Sequence, residues 1–151
     1  MSNDMKNFAA LCCLWLLTSC GLVELESSKN GKLDGYWHLE LVDTLSTGGQ
    51  LDLRQELRFW AIQGTIFELY SPELEWGQYF VSHFTHENGT LTLHKIYFDR
   101  REEGDPPVEN VDLLRPFGIN QLEGEHFVVE ELTGSKMTLR NDALRLTFKN
   151  Q

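Results

Sequence analysis

The residues with the most obvious capacity for chemistry are His83, His86 and His94. Imidazole ligates zinc and moves protons near neutral pH. A spacing of three in an extended chain sends His83 and His86 to opposite faces, so the two cannot chelate one ion. His83 and His94 are better matched, because a turn at Asn88-Gly89 sets them opposite each other with Cβ atoms about 4.5–5.5 Å apart. Zinc needs a third and fourth ligand, and none is in reach on the same face. We read the two as solvated histidines and expect no metal and no cofactor. The paired carboxylates Glu102-Glu103 and Glu130-Glu131 are sequence neighbours, and neighbours on a strand point apart. No serine sits in a Gly-x-Ser-x-Gly elbow. Asn88-Gly89-Thr90 fits the glycosylation sequon, but the turn consumes it. The expectation is therefore a protein that is not an enzyme.

The three cysteines, Cys12, Cys13 and Cys20, all lie in the first twenty residues. The rest of the chain has none, which excludes a disulfide and cysteine-ligated zinc there. Residues 8–17 are almost wholly apolar, too short a run to cross a bilayer as a helix, which takes about 20. A signal-peptide core fits, preceded by Lys6 and Asp4; a start at Met5 would remove the acid and sharpen the positive flank. Leu17-Thr18-Ser19-Cys20 matches at all four positions the lipobox of bacterial lipoproteins, in which the cysteine thiol takes a diacylglycerol. The expected organisation is a signal over 1–19, a lipid anchor at Cys20 with a polar tether over 20–32, and one domain over 33–151. Several acyl chains, each buried methylene contributing about 0.8 kcal/mol, would hold Cys20 at a membrane. The net charge of −10 argues against nucleic acid and anionic head groups as partners.

Strand patterns dominate the domain. Trp37, Leu39 and Leu41 alternate with polar residues over 36–43. Segments 56–62 and 65–70 flank Gln63-Gly64, a tight turn that sets Trp60 opposite Phe67. Apolar groups lie on both faces of this hairpin. After a turn over 72–75, the segment 78–87 leads to Asn88-Gly89, the strongest hairpin signal in the chain. That register sets Phe84 opposite Leu93 and His86 opposite Leu91, and places Phe80 opposite Tyr97. Residues 99–124 break the alternation, and Asp105-Pro106 reads as the start of a short helix over 106–114 that lids one end. Strands at 125–132, 136–140 and 143–148 complete the chain. A turn at Asn141-Asp142 would set Leu139 opposite Leu144 and Met137 opposite Leu146, and bringing Phe127 and Val129 opposite Leu139 requires a bulge.

Eight strands joined mainly by hairpins, with one apolar face and little helix, are best concealed by closure. The expected fold is all-β: an eight-stranded antiparallel up-and-down barrel with one short helix between strands five and six. Its inward residues Trp37, Trp60, Phe67, Phe80, Phe84, Leu93, Tyr97, Leu139 and Leu146 are candidates to line a site for one small apolar ligand. Large inward rings also simply fill small barrels.

Gly35-Tyr36-Trp37 at the head of the first strand is similar to the Gly-x-Trp of lipocalins. With the lipobox, the proline-bearing insert and the ending at 136–149, the chain resembles the small lipocalin-like lipoproteins of Bacteroidota from about residue 33 to 149. The resemblance implies envelope attachment, most simply at the outer membrane, and binding of a small hydrophobic ligand. It also implies that Arg145 covers Trp37. The alternative function is a non-enzymatic protein-interaction module or accessory subunit that works through its outer surface.

Overall fold

A computed structural model of the chain describes residues 28–74 and 79–151. The signal over 1–19, Cys20, the tether as far as residue 27 and the segment 75–78 lie outside the described residues.

Eight antiparallel staves form the wall. The first is β1, Gly35–Thr44. The second comes in two pieces, β2 (Gly49–Asp52) on the far half of β1 and β3 (Phe59–Gln63) on its near half. Then come β4 (Ile66–Tyr70) and β5 (Tyr79–Glu87), followed by a second broken stave, β6 (Thr90–Leu93) and β7 (Tyr97–Phe98), both paired to β5. β8 (His126–Leu132), β9 (Lys136–Arg140) and β10 (Leu144–Asn150) complete the circuit. β10 pairs with β1 from Trp37↔Asn150 to Thr44↔Leu144. Each stave thus lies beside its chain neighbours and the last closes on the first, as the alternating pattern required.

The hairpins show what sets register. Asn88 and Gly89 both have positive φ, the type I′ requirement, and Phe84↔Leu93 and His86↔Leu91 follow as expected. The earlier turn is displaced: its loop is Gly64-Thr65, because glycine with φ near 62° belongs at the first loop position of a II′ turn. Trp60 therefore faces Leu69 and not Phe67. The last turn shifts likewise. Asn141 closes the ladder through its N–H to Leu144 O, and its Oδ1 accepts from the N–H groups of Ala143 and Leu144. Leu139 consequently meets Leu146, and Met137 meets Phe148. Both shifts are by two residues, the strand period, so the inward set survives.

Single-residue shifts act otherwise. A bulge between Leu39 and Leu41 turns Val42 to the core in place of the expected Leu41. The bulge foreseen in the eighth-to-ninth pairing lies between Val129 and Glu131, with Val129 opposite Leu139. Between β6 and β7 the chain leaves the ladder at 94–96. Ile96 turns inward, and the buried Ser82 hydroxyl donates to Lys95 O at 2.7 Å. Beyond this break Phe98, not Tyr97, lies opposite Phe80.

The short helix between the fifth and sixth staves is present as 3-10 turns over Val111–Leu113 and Arg115–Phe117, so it starts later than the expected 106–114. Asn110, not Asp105, caps it, its side chain accepting from Asp112 N–H. Asp105 has positive φ and accepts from Arg100 N–H, while Pro106 and Pro107 run beside β7. Proline at 116 sits in the first turn of the second piece, a position where its missing N–H is harmless, rather than ending the helix.

Both barrel ends are stopped. At the end where β1 begins, a 3-10 turn over Gly31–Leu33 buries Leu33, whose carbonyl accepts from Trp37 Nε1 at 2.9 Å. At the opposite end the 105–124 connection folds in, with Leu114, Phe117 and Ile119 fully buried.

Candidate functional site

The candidate lining residues do converge. Trp60 stands at the centre of the interior, its ring 5.8 Å from Phe67, 5.9 Å from Phe127 and 5.2 Å from Phe148, the last two edge-on. Phe67 reaches Phe84 at 6.5 Å, and Phe80 meets Phe98 at 5.3 Å and Phe117 edge-on at 5.9 Å. Leu93, Leu139 and Leu146 pack in the same cluster. Tyr97 does not: opposite the half-buried Val81 it shares that residue's outward side, since the break at 94–96 reverses the alternation.

A side chain that lines an empty chamber keeps surface a water molecule can touch. Trp37, Trp60, Phe80, Leu139 and Leu146 keep none, and Phe67 and Leu93 keep 1%. Closed as it stands, the interior at these residues is packed. What packs its upper part is the connection: Leu114, Phe117 and Ile119 take the volume beneath the mouth. Sequence reasoning placed this segment over the end of the barrel and missed that it enters. The signal was the run Leu114, Phe117, Ile119, whose spacing of three and two follows no strand.

The two central tryptophans differ in role. Trp37 Nε1 is spent on Leu33 O at the closed bottom. Gly35 makes room for this fold-back, since a Cβ there would lie 3.1 Å from that Nε1 and 3.2 Å from Asn150 Oδ1. Trp60 Nε1 donates instead to Phe117 O, on the inserted segment. Arg145 does not cover Trp37: it pairs opposite Asp43 while Trp37 pairs opposite Asn150, and its guanidinium grips Glu130 at 2.7 Å. That contact, with Arg140 beside it, holds the Glu130 carboxyl below its ordinary range.

A buried acid fastens the insert to the wall. Glu125 Oε2 accepts from the N–H groups of Asn120 and Gln121 at 2.7 and 3.2 Å, and Oε1 from Asn141 Nδ2 at 2.7 Å. Glu125 is 2% exposed, and burial raises its pKa against the opposing pull of these donors. The histidines fall as the turn dictates. His94 N–H donates to His83 O, and His86 lies on the other face opposite Leu91. Among the described residues no group of three or more metal-ligating side chains assembles.

Outside the barrel, the wall of β1, β3, β4 and β5 carries a row of rings. Tyr36 stacks on Phe59 at 4.7 Å, Phe59 lies 6.5 Å from Tyr70, and Tyr70 stacks on Tyr79 at 4.4 Å. Burial raises the Tyr36 phenol above its usual value, and the neighbouring Tyr70 hydroxyl does the same to Tyr79. His38, beside Phe59, is covered by the 53–58 loop and meets Glu56 O at 2.6 Å.

Comparison with known proteins gives a consistent picture. A family of lipocalin-like domains matches residues 15–151. Among solved structures, a lipocalin-like protein from Bacteroides uniformis is similar with a TM-score of 0.60 and 20% identity, over 80% of this chain and 100% of that one. A protein from Bacteroides eggerthii is similar with a TM-score of 0.56 and 21% identity, over 78% of this chain and 98% of that one. No protein of curated function matches the sequence.

Proposed function

The chain belongs to the lipocalin-like domain family, whose barrel is a fold for small-ligand binding, and from that premise we propose that it is a lipid-anchored envelope protein that holds a small apolar molecule under its inserted segment. The observation that carries this reading is the way the mouth is filled. The plug belongs to no strand, and the contact it makes at the chamber's centre is the bond from Trp60 Nε1 to Phe117 O. Moving Leu114, Phe117 and Ile119 aside would leave a chamber walled by Trp60, Phe67, Phe80, Phe84 and Phe127 with one polar handle, the freed indole N–H. Binding sites for small molecules have this character, apolar walls with few placed polar groups.

The proposed anchor at Cys20 sets the orientation of the barrel in this reading. The described chain enters at the closed bottom, where Asn30 Nδ2 bonds Asp34 and Gly64 O. An acylated Cys20 would hold that end toward the outer membrane and turn the plugged mouth away from it. In this reading residues 1–19 are removed on export, and residues beyond Cys20 serve as a short spacer.

Two measurements test the proposal. The apolar fluorophore N-phenylnaphthylamine should quench tryptophan emission of the full chain in detergent, and Phe117→Ala should bind it more tightly because the competing ring is gone. Absence of quenching in both proteins would remove the ligand reading. Metabolic labelling with palmitate should mark the wild-type chain and not Cys20→Ala, and the variant should leave the membrane fraction.

A further inference from the structure

The outer wall of β1, β3, β4 and β5 has the composition of an interface. Tyr36, Ile66 and Tyr79 are 39%, 42% and 45% exposed, and Phe59, Ala61, Tyr70 and Val81 lie half-buried between them. The small side chain of Ala61 opens a groove of about 650 Å³ whose sides include Asp34, Gln63, Ile66 and Glu68.

Its charges are of one sign. Several outward acids elsewhere are paired, Glu130 with Arg145 and Arg140, Glu131 with Lys136, Glu73 with Arg58 and Asp112 with Arg115, while exposed Glu87, Glu102, Glu109 and Glu123, like the groove's acids, make no ion pair among the described residues. Among the described residues neither Asp34 nor Glu68 makes an ion pair, and no Lys, Arg or His lines the groove. Asp34 Oδ1 serves Asn30 and Gly64 N–H, whereas Glu68 has no side-chain partner among the described residues. A half-buried carboxylate without a cation, beside an exposed apolar strip on a chain of net charge −10, is complementary to a basic amphipathic surface.

The sheet fixes the spacing. Tyr36 lies opposite Ala61, and Ala61 opposite Glu68, so Glu68 is two strand spacings from β1. Asp34 is two residues before Tyr36. At about 4.8 Å between strands and 3.4 Å per residue, the Cα positions of Asp34 and Glu68 are roughly 12 Å apart, with Ala61 on the strand between them. An extended peptide covers that distance in four residues and presents residues i, i+2 and i+4 on one face.

We propose that this wall docks an extended basic segment of a partner protein. Two lysines or arginines four residues apart meet Asp34 and Glu68, and the apolar residue midway seats on Ala61 beside Ile66. Such docking uses the outside of the barrel and does not depend on a ligand inside it.

The test uses the full chain in detergent and labelled nine-residue peptides read by fluorescence anisotropy. One carries Lys-Ser-Leu-Ser-Lys at its centre, a second replaces both lysines by glutamate, and a third moves them three residues apart. The first should bind, more weakly as salt rises, and more tightly than the other two. Glu68→Gln should weaken it about fivefold, as loss of one rim charge implies, and Ala61→Arg should abolish binding by filling the groove and pairing with Glu68. Both positions face outward, and unchanged melting would confirm that the variants fold. Phe117→Ala should leave the peptide affinity unchanged. Equal binding of the lysine and glutamate peptides, indifference to Ala61→Arg, or no binding at millimolar peptide would overturn the proposal.

Discussion

Trp60 Nε1 donates a 3.1 Å hydrogen bond to the carbonyl of Phe117, 57 residues away, and joins the barrel wall to the segment that stops its mouth. Both groups are buried, so neither could exchange this partner for water. Trp60→Phe keeps an aromatic ring, removes the donor and strands the carbonyl. The expected cost is about 1–3 kcal/mol in urea unfolding. Backbone amides from residue 114 to 119 should exchange faster with deuterium than in the wild type. A destabilised variant with unchanged exchange there would mean that the bond does not fasten the plug.

Gly118 marks how closely the plug enters. Its φ is near 81°, and an added Cβ would lie 2.6 Å from Leu146 Cδ2. Gly118→Ala therefore combines left-handed strain with overpacking and should cost about 1–3 kcal/mol. Leu146→Val should relieve the overpacking but not the strain, so the double variant should be more stable than the sum of the single losses. Additive losses in thermal melts would show that the backbone angle alone sets the cost.

At the bottom of the barrel the relation is between Gly35 and Trp37. Trp37→Ala removes a fully buried indole and should cost about 3–5 kcal/mol. Gly35→Ala adds only a methyl, yet that methyl meets the indole Nε1 and the Asn150 side chain. It should cost about 1–2 kcal/mol in the wild type and less in a Trp37→Phe background, where no Nε1 stands in the way. The measurement is a double-mutant cycle in urea. An equal cost in both backgrounds would place the clash on Asn150.

Closure of the sheet was legible because inward residues recur with period two in segments joined by short turns, and errors of two residues in a turn leave that set intact. Trp60 kept its inward place although its partner is Leu69 and not Phe67. Errors of one residue are the ones that matter. The break at 94–96 exchanges Phe98 for Tyr97, and the β1 bulge exchanges Val42 for Leu41. Neither has a glycine or proline to announce it: Ser82 Oγ bonds Lys95 O at the break, and Leu53 N–H bonds Glu40 O at the bulge. The plug was illegible as a plug for a related reason. Two 3-10 turns carry too few residues for a helical stripe, and only the chamber beneath explains why Leu114, Phe117 and Ile119 are apolar. The pairing of Glu125 with Asn120, Gln121 and Asn141 has no local signature at all.

The Glu125 latch gives the stability a distinctive dependence on pH. Its folded pKa is raised by burial above the ordinary carboxyl value of 4.5, so the folded chain holds this proton more tightly than the unfolded chain does. By linkage its contribution is most favourable below pH 4.5 and is lost as pH rises through the folded value. Asp52, Glu73 and Glu130 act in the opposite sense at lower pH. Hydrogen bonds to Arg54, Leu57 N–H and Arg145 respectively depress their folded values, to about 2 for Asp52, and their contributions are lost as pH falls. Glu125→Gln separates the two. Its amide oxygen can still accept from Asn120 and Gln121, while its NH2 group opposes Asn141 Nδ2 and lowers stability by an amount that does not vary with pH. Urea unfolding of both proteins from pH 4 to pH 8 should show a gap that narrows as pH rises, because only the wild type must bury a charge at neutral pH. A gap independent of pH would mean that the Glu125 carboxyl ionises as easily inside the fold as outside it, with its three donors compensating for burial in full.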